Sequence, residues 1–136
     1  MVEFKAGNEF QKEFFITDKL IKSYASLTGD NNPLHTDEEF ISSTKFNKRI
    51  AHGGLIFGLI SNILGTDFPG PGTVYVYQNL SFLNPVYVDT KVIVKISVKE
   101  LLPKLGAIIQ TDVFDEKGNT VCSGEAKIKL PEWCKK

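Results

Sequence analysis

Asp30 and His35 flank a proline in the run Asp30-Asn31-Asn32-Pro33-Leu34-His35, and their side chains are the ones in this chain best suited to moving a proton. The chain has two histidines in all, and the second, His52, follows a short way on, directly before Gly53-Gly54-Leu55. Groups that titrate near neutral pH are therefore concentrated in one stretch. A carboxylate and an imidazole held together can take a proton from one atom and deliver it to another. Pro33 fixes its own φ and discourages helix at Asn32, so the pair is expected on a rigid non-helical turn. Asn32 can support that turn by hydrogen-bonding its backbone.

Proton transfer that builds negative charge on an oxygen also needs fixed donors. Gly53 opens an apolar segment, and the first amides of a helix are unsatisfied and lie at its positive dipole end. A glycine there lets a bound group come close to the backbone. Each residue also has an ordinary role available: His35 as a cap, Asp30 as a turn former, Gly53-Gly54 as close packing. The order in which they occur together favours chemistry. His52 reads as a packing or hydrogen-bonding residue at the helix entrance. Lys45, Lys48 and Arg49, the chain's single arginine, precede that helix and are candidates for binding phosphates, solvated surface charge being the plainer reading. Two histidines and two cysteines without Cys-x-x-Cys or His-Glu-x-x-His spacing predict no metal site. Gly70-Pro71-Gly72 is a turn, not a phosphate loop, and Cys122, mid-strand among apolar neighbours, reads as structural.

The elements that must position these residues fall into two halves. Thr17 or Asp18 caps a helix running to Leu27, where Thr28-Gly29 ends it, and Thr36-Asp37-Glu38-Glu39 signals a short second helix. From Gly53 to about Gly65 comes a third, apolar around nearly its whole circumference, which wants to be enclosed. Segments 8–16, 73–83, 90–101, 107–114 and 119–130 read as strands. In the second, Val74, Val76, Leu80 and Phe82 share a face, and in the third Val92, Val94, Ile96 and Val98 do. Asp115-Glu116-Lys117-Gly118 is the turn of an antiparallel hairpin. The expected fold class is α+β: about five antiparallel strands curved around a long central helix.

At 136 residues the chain is expected to be one domain, 1–136. Its 16 basic and 16 acidic residues are interspersed, which argues against nucleic acid and anionic membranes as partners. No apolar stretch approaches the ~20 residues of a membrane span, and the N-terminal residues lack the apolar core of a signal peptide. A reducing cytoplasm is the expected location, with Cys122 and Cys134 unbridged.

The runs Leu27-Thr28-Gly29-Asp30-Asn31-Asn32-Pro33-Leu34-His35, Ile50-Ala51-His52-Gly53 and Leu80-Ser81-Phe82-Leu83-Asn84-Pro85-Val86 together resemble the MaoC-like group of hot-dog-fold (R)-specific enoyl-CoA hydratases and dehydratases, over roughly residues 12 to 130. The resemblance implies a hot-dog fold and reversible addition of water to a 2-enoyl thioester. It makes Asp30 and His35 a catalytic dyad gripping one water, whose oxygen goes to the β-carbon and whose proton goes to the α-carbon. It makes Gly53 the oxyanion donor and places Asn32 and Ser61 in support. From the residues themselves, Ile60, Ile63 and Leu64 read as core first and as lining of an acyl pocket second, where their bulk would favour short chains, and Arg49 is the candidate contact for coenzyme A phosphates. The acyl group would ride on coenzyme A or on an acyl-carrier protein, no further cofactor would be needed, and two protomers would pair as a homodimer. The alternatives are an acyl-CoA thioesterase of the same fold and a non-catalytic acyl-CoA-binding protein.

Overall fold

A computed structural model describes residues 4–134. Strand β1 (Glu9–Ile16) leads into α1 (Asp18–Thr28), the one-turn helices α2 (Pro33–Thr36) and α3 (Glu38–Ser42), and α4 (Gly53–Asn62), which runs on into a π-helical turn, Ile63–Asp67. Then come β2 (Val74–Gln78), β3 (Ser81–Phe82), β4 (Thr90–Leu102), β5 (Gly106–Asp115), β6 (Thr120–Lys129) and a closing 3₁₀ turn, Glu132–Cys134. The sheet is antiparallel in the order β1-β4-β5-β6-β2, with β3 pairing with β6 beside β2.

Local chemistry explains most of these boundaries. The Thr17 hydroxyl accepts from Leu20 N–H at 3.0 Å, and Gly29, at φ 78°, donates back to the Ala25 carbonyl to close α1. Asp115 Oδ1 accepts from the Lys117 and Asn119 amides at 2.9 Å each, which shapes the β5–β6 turn. Val92, Val94, Ile96 and Val98 of β4 alternate into the core as their spacing predicts.

The core lies between one sheet face and α4. Leu55, Ile56, Leu59 and Ile60 project onto the sheet and are buried, each worth ~1.5–3 kcal/mol of transfer free energy. Two expectations need correction. The helix is covered on its sheet side only: Gly54, Phe57, Gly58 and Ser61 are exposed in the single chain. Val74, Val76 and Phe82 point outward too, at 55%, 64% and 55% exposure. Segment 73–83 is apolar on both faces and carries a register shift between Tyr75 and Tyr77, so alternation alone does not select the inward face. Among the described residues, no helix is long and apolar enough to cross a membrane.

Candidate active site

The turn carrying Asp30 is tied together locally. Asp30 N–H donates to Thr28 Oγ1 at 3.2 Å, and Asp30 Oδ1 accepts from Asn32 N–H at 3.3 Å. Asn32 Oδ1 in turn accepts from Leu34 N–H at 3.1 Å, capping α2. His35 therefore sits inside a short helix, not on a non-helical turn: Pro33 occupies its first turn, where a fixed φ and a missing N–H suit helix initiation. Asn32, at φ −54° and ψ 123°, stays out of the helical region, as a residue before proline should.

The segment Ile50-Ala51-His52 holds both ionisable residues. His35 Nδ1 lies 2.6 Å from the Ile50 carbonyl, while Ile50 N–H donates to the Leu34 carbonyl at 3.2 Å. A carbonyl only accepts, so His35 carries its proton on Nδ1 in the neutral ring and presents Nε2 as a lone pair. His52 Nε2 lies 3.1 Å from the Asp30 carbonyl, which likewise makes Nε2 the protonated nitrogen of that ring. The two imidazoles stack with centroids 3.9 Å apart and planes at 29°. His35 and His52 are buried and Asp30 is exposed.

Ligand-type atoms of Asp30, His35 and His52 all lie within 4.8 Å of one another. One water with hydrogen bonds of about 2.8 Å spans such a separation, so Asp30 and His35 can hold it between them. The same cluster is a poor cage for a metal ion, because the stacked rings keep their lone pairs in separate, nearly parallel planes and one nitrogen of each ring already faces a main-chain carbonyl.

Gly53 is the first residue of α4, and its N–H has no acceptor among the described residues. His35, Gly53, Ile56, Phe82, Val86 and Val121 are among the residues around a cavity of about 400 Å³, with Lys45 and Phe46 also on its wall. The imidazole and the unsatisfied amide therefore share one space. An added Cβ on Gly53 would lie 3.1 Å from the Phe82 ring, so glycine keeps that wall open.

Other candidates lie elsewhere. Ile60 and Leu64 are fully buried core residues, and Ile56, one turn earlier on the same helix face, lines the cavity in their place. Ser61 is exposed and lies eight residues beyond Gly53, about 12 Å along the helix axis, outside the cluster. Arg49, expected as a phosphate contact, is buried: Nε donates to Glu38 Oε1 at 2.6 Å, Nη2 to Asp18 Oδ1 at 2.5 Å and Nη1 to the His35 carbonyl at 3.0 Å. A guanidinium fork with three acceptors already in place has little left for a phosphate. It joins α1, α3 and the His35 main chain, while Lys45 is the cation that reaches the cavity. Hydrogen bonds from Lys22 first, and from Arg49 next, hold the Asp18 carboxyl below its ordinary range. Replacing Arg49 by Ala or Lys should lower the melting temperature and kcat with little change in the salt dependence of KM. Calorimetry and kinetics at two ionic strengths would check this.

Sequence reasoning left His52 as an entrance residue, without its contact to His35. A histidine directly before a helix-opening glycine, in a chain with only two, was the available signal. Burial above all holds His52 below the ordinary value of 6.5; the Asp30 carbonyl opposes this and the neighbouring His35 adds to it. The unfolded chain thus binds this proton at higher pH than the fold does, so the stability linked to neutral His52 is complete above about pH 6.5 and lost as pH falls further. Melting temperatures across pH 7 to 5 should fall more steeply in the wild type than in His52→Gln.

A helix laid on one face of this antiparallel sheet, with a polar cluster at its N-terminus, is the hot-dog fold. The MaoC like domain family matches residues 3–117, and the chain belongs to that family. It is 41% identical over 122 residues to a 3-hydroxybutyryl-CoA dehydratase of Methylorubrum extorquens, covering 90% of this chain and 76% of that one. An (R)-specific enoyl-CoA hydratase of Aeromonas caviae is 39% identical over 112 residues, 82% of this chain and 84% of its own. The structure of R-hydratase PhaJ1 from Pseudomonas aeruginosa, unliganded, superposes with a TM-score of 0.92 at 38% identity, covering 96% of this chain and 84% of that one.

Proposed function

We propose that the protein is an (R)-specific enoyl-CoA hydratase, a hydro-lyase that reversibly adds water to trans-2-enoyl-CoA to give (R)-3-hydroxyacyl-CoA. The observation that carries this reading is the His35 imidazole, which lies within reach of the Asp30 carboxylate and borders the same cavity as Gly53. Asp30 and His35 orient one water. His35 Nε2 takes a proton as the water oxygen bonds to the β-carbon, and the negative charge moves onto the thioester oxygen, where Gly53 N–H donates to it. The proton then passes to the α-carbon on the same face, so water is added whole and no cofactor is consumed. Lys45 on the cavity wall is the candidate partner for coenzyme A phosphate, or for the phosphopantetheine of a carrier protein.

Two features disfavour thioester hydrolysis. Among the residues of α4 there is Asn62 but no carboxylate, and Asp67 beyond it is paired with Lys12 at 2.9 Å. A cysteine nucleophile is disfavoured as well, because burial, with the nearby Asp112, pushes the Cys122 thiol up to about 12. Incubation with crotonyl-CoA should give loss of enoyl absorbance and an (R)-3-hydroxy product without free thiol. Thiol release would move the reading to a thioesterase, and binding without turnover to an acyl-CoA-binding protein.

The branched side chains of Ile56 and Val121 and the Phe82 ring crowd the wall beside Gly53, which supports a preference for short acyl chains. Crotonyl-CoA should therefore exceed octenoyl-CoA in kcat/KM by about tenfold or more. The outward Phe57, Val74, Val76, Phe82 and Leu83 give a face that a second copy would cover, which supports a homodimer. Light scattering at micromolar concentration tests it, and a monomer mass would count against it. Unbridged Cys122 and Cys134 fit a reducing cytoplasm.

A further inference from the structure

Asp30 is the weakly held half of the pair. Within the described residues its own carboxylate and amide bond to residues 28 and 32 of the same exposed loop and to no others. His35, by contrast, is anchored through Ile50, Asn32 and Arg49. Among the described residues, one hydrogen bond ties Asp30 to another element, and it comes from His52 at the start of α4. His52 is only 2% exposed, yet its Nδ1 has no partner among the described residues, so the ring is not kept polar for a second hydrogen bond. A buried imidazole with one unsatisfied nitrogen costs free energy that an apolar ring would avoid.

Its surroundings are arranged to hold that ring still. The titratable groups facing it are Asp30, His35 and Tyr24, whose ring lies 4.6 Å away at 51°. A Cβ on Gly54 would fall 1.9 Å from the Tyr24 hydroxyl oxygen, so glycine at this position makes room for Tyr24 to pack against His52. We propose that His52 is a positioning residue for the Asp30–His35 pair, its Nε2–H fixing the Asp30 main chain and its ring face fixing the plane of the His35 imidazole. The inference rests on the reading of that pair as the water-binding site. It makes Ile50-Ala51-His52-Gly53 a single strap that sets the His35 tautomer, the Asp30 backbone and the oxyanion amide in register.

With only two histidines in the chain, imidazole nitrogen resonances can be assigned by one substitution. Above neutral pH, His35 should be the Nδ1–H tautomer and His52 the Nε2–H tautomer. In His52→Ala, kcat for crotonyl-CoA should fall about 100-fold, the scale of a misplacement near 1 Å, with KM changed less than about threefold. His52→Gln, which keeps an amide donor for the Asp30 carbonyl, should recover about tenfold of that loss. A folded His52→Ala with wild-type kcat overturns the proposal, as does an Nδ1–H tautomer at His52, a result that stands even where the alanine variant does not fold. A wild-type protein that leaves crotonyl-CoA unchanged removes the hydratase reading and this role with it. Wild-type turnover with an unaffected His52→Ala removes this role alone.

Discussion

Asp30→Asn and His35→Ala should each lower kcat for crotonyl-CoA hydration by about 100- to 10,000-fold, with a melting temperature close to the wild type in Asp30→Asn and modestly lower in His35→Ala. The thermal expectation for Asp30 follows from placement: the residue is exposed, its carboxylate bonds within its own loop, and the His52 contact to its carbonyl survives the substitution. Asn keeps an oxygen for the Asn32 amide but loses the negative charge that orients a water and stabilises a protonated imidazole. His35→Ala removes the lone pair that accepts the proton and leaves the Ile50 carbonyl without its partner, so a modest loss of stability should accompany the larger loss of rate. Because both groups hold the same water, their effects should not add: the double variant should be about as slow as the worse single one. Product of two independent losses in the double variant would show that each acts on a different atom. Stopped assays at saturating substrate, with calorimetry on the same samples, separate the outcomes.

Gly53→Pro should be slower than Gly53→Ala by about 100- to 1,000-fold, the usual consequence of deleting one oxyanion donor. Both substitutions introduce a Cβ that meets the Phe82 ring at the same 3.1 Å; proline in addition replaces the amide hydrogen with its ring Cδ, so the donor is lost and its place filled. Phe82 is 55% exposed and can yield by a few tenths of an ångström, so alanine alone should cost little. Proline is tolerated at the first position of a helix, where its missing N–H breaks no intrahelical bond. The preceding residue is suited to it as well: His52 has φ −62° and ψ 140°, within the range favoured before proline. The fold should survive and the rate should not. Equal rates for the two variants would take the Gly53 N–H out of the mechanism.

The sequence by itself determined the order of the chemistry and the elements that carry it. Gly29 closing α1, the alternation of Val92 to Val98 and the Asp115 turn depend on neighbours a few residues away, and local rules read them correctly. The run from Asp30 to His35 and the glycine at the start of α4 were legible for the same reason, since proline geometry and helix-end amides are properties of short segments. Tertiary structure decided what depends on partners distant in sequence. Arg49 looked like a free cation until α1 and α3 brought Asp18 and Glu38 against it. Ile60 and Ile56 share one helix face, and only the position of the sheet and of Phe82 determines which of them meets the cavity. His52 needed a loop 22 residues earlier to fold back over it before its bond to Asp30 and its stack on His35 existed at all. For β2, where Val and Tyr alternate, periodicity does not say which face turns inward; its register on β6, with the shift between Tyr75 and Tyr77, makes that choice.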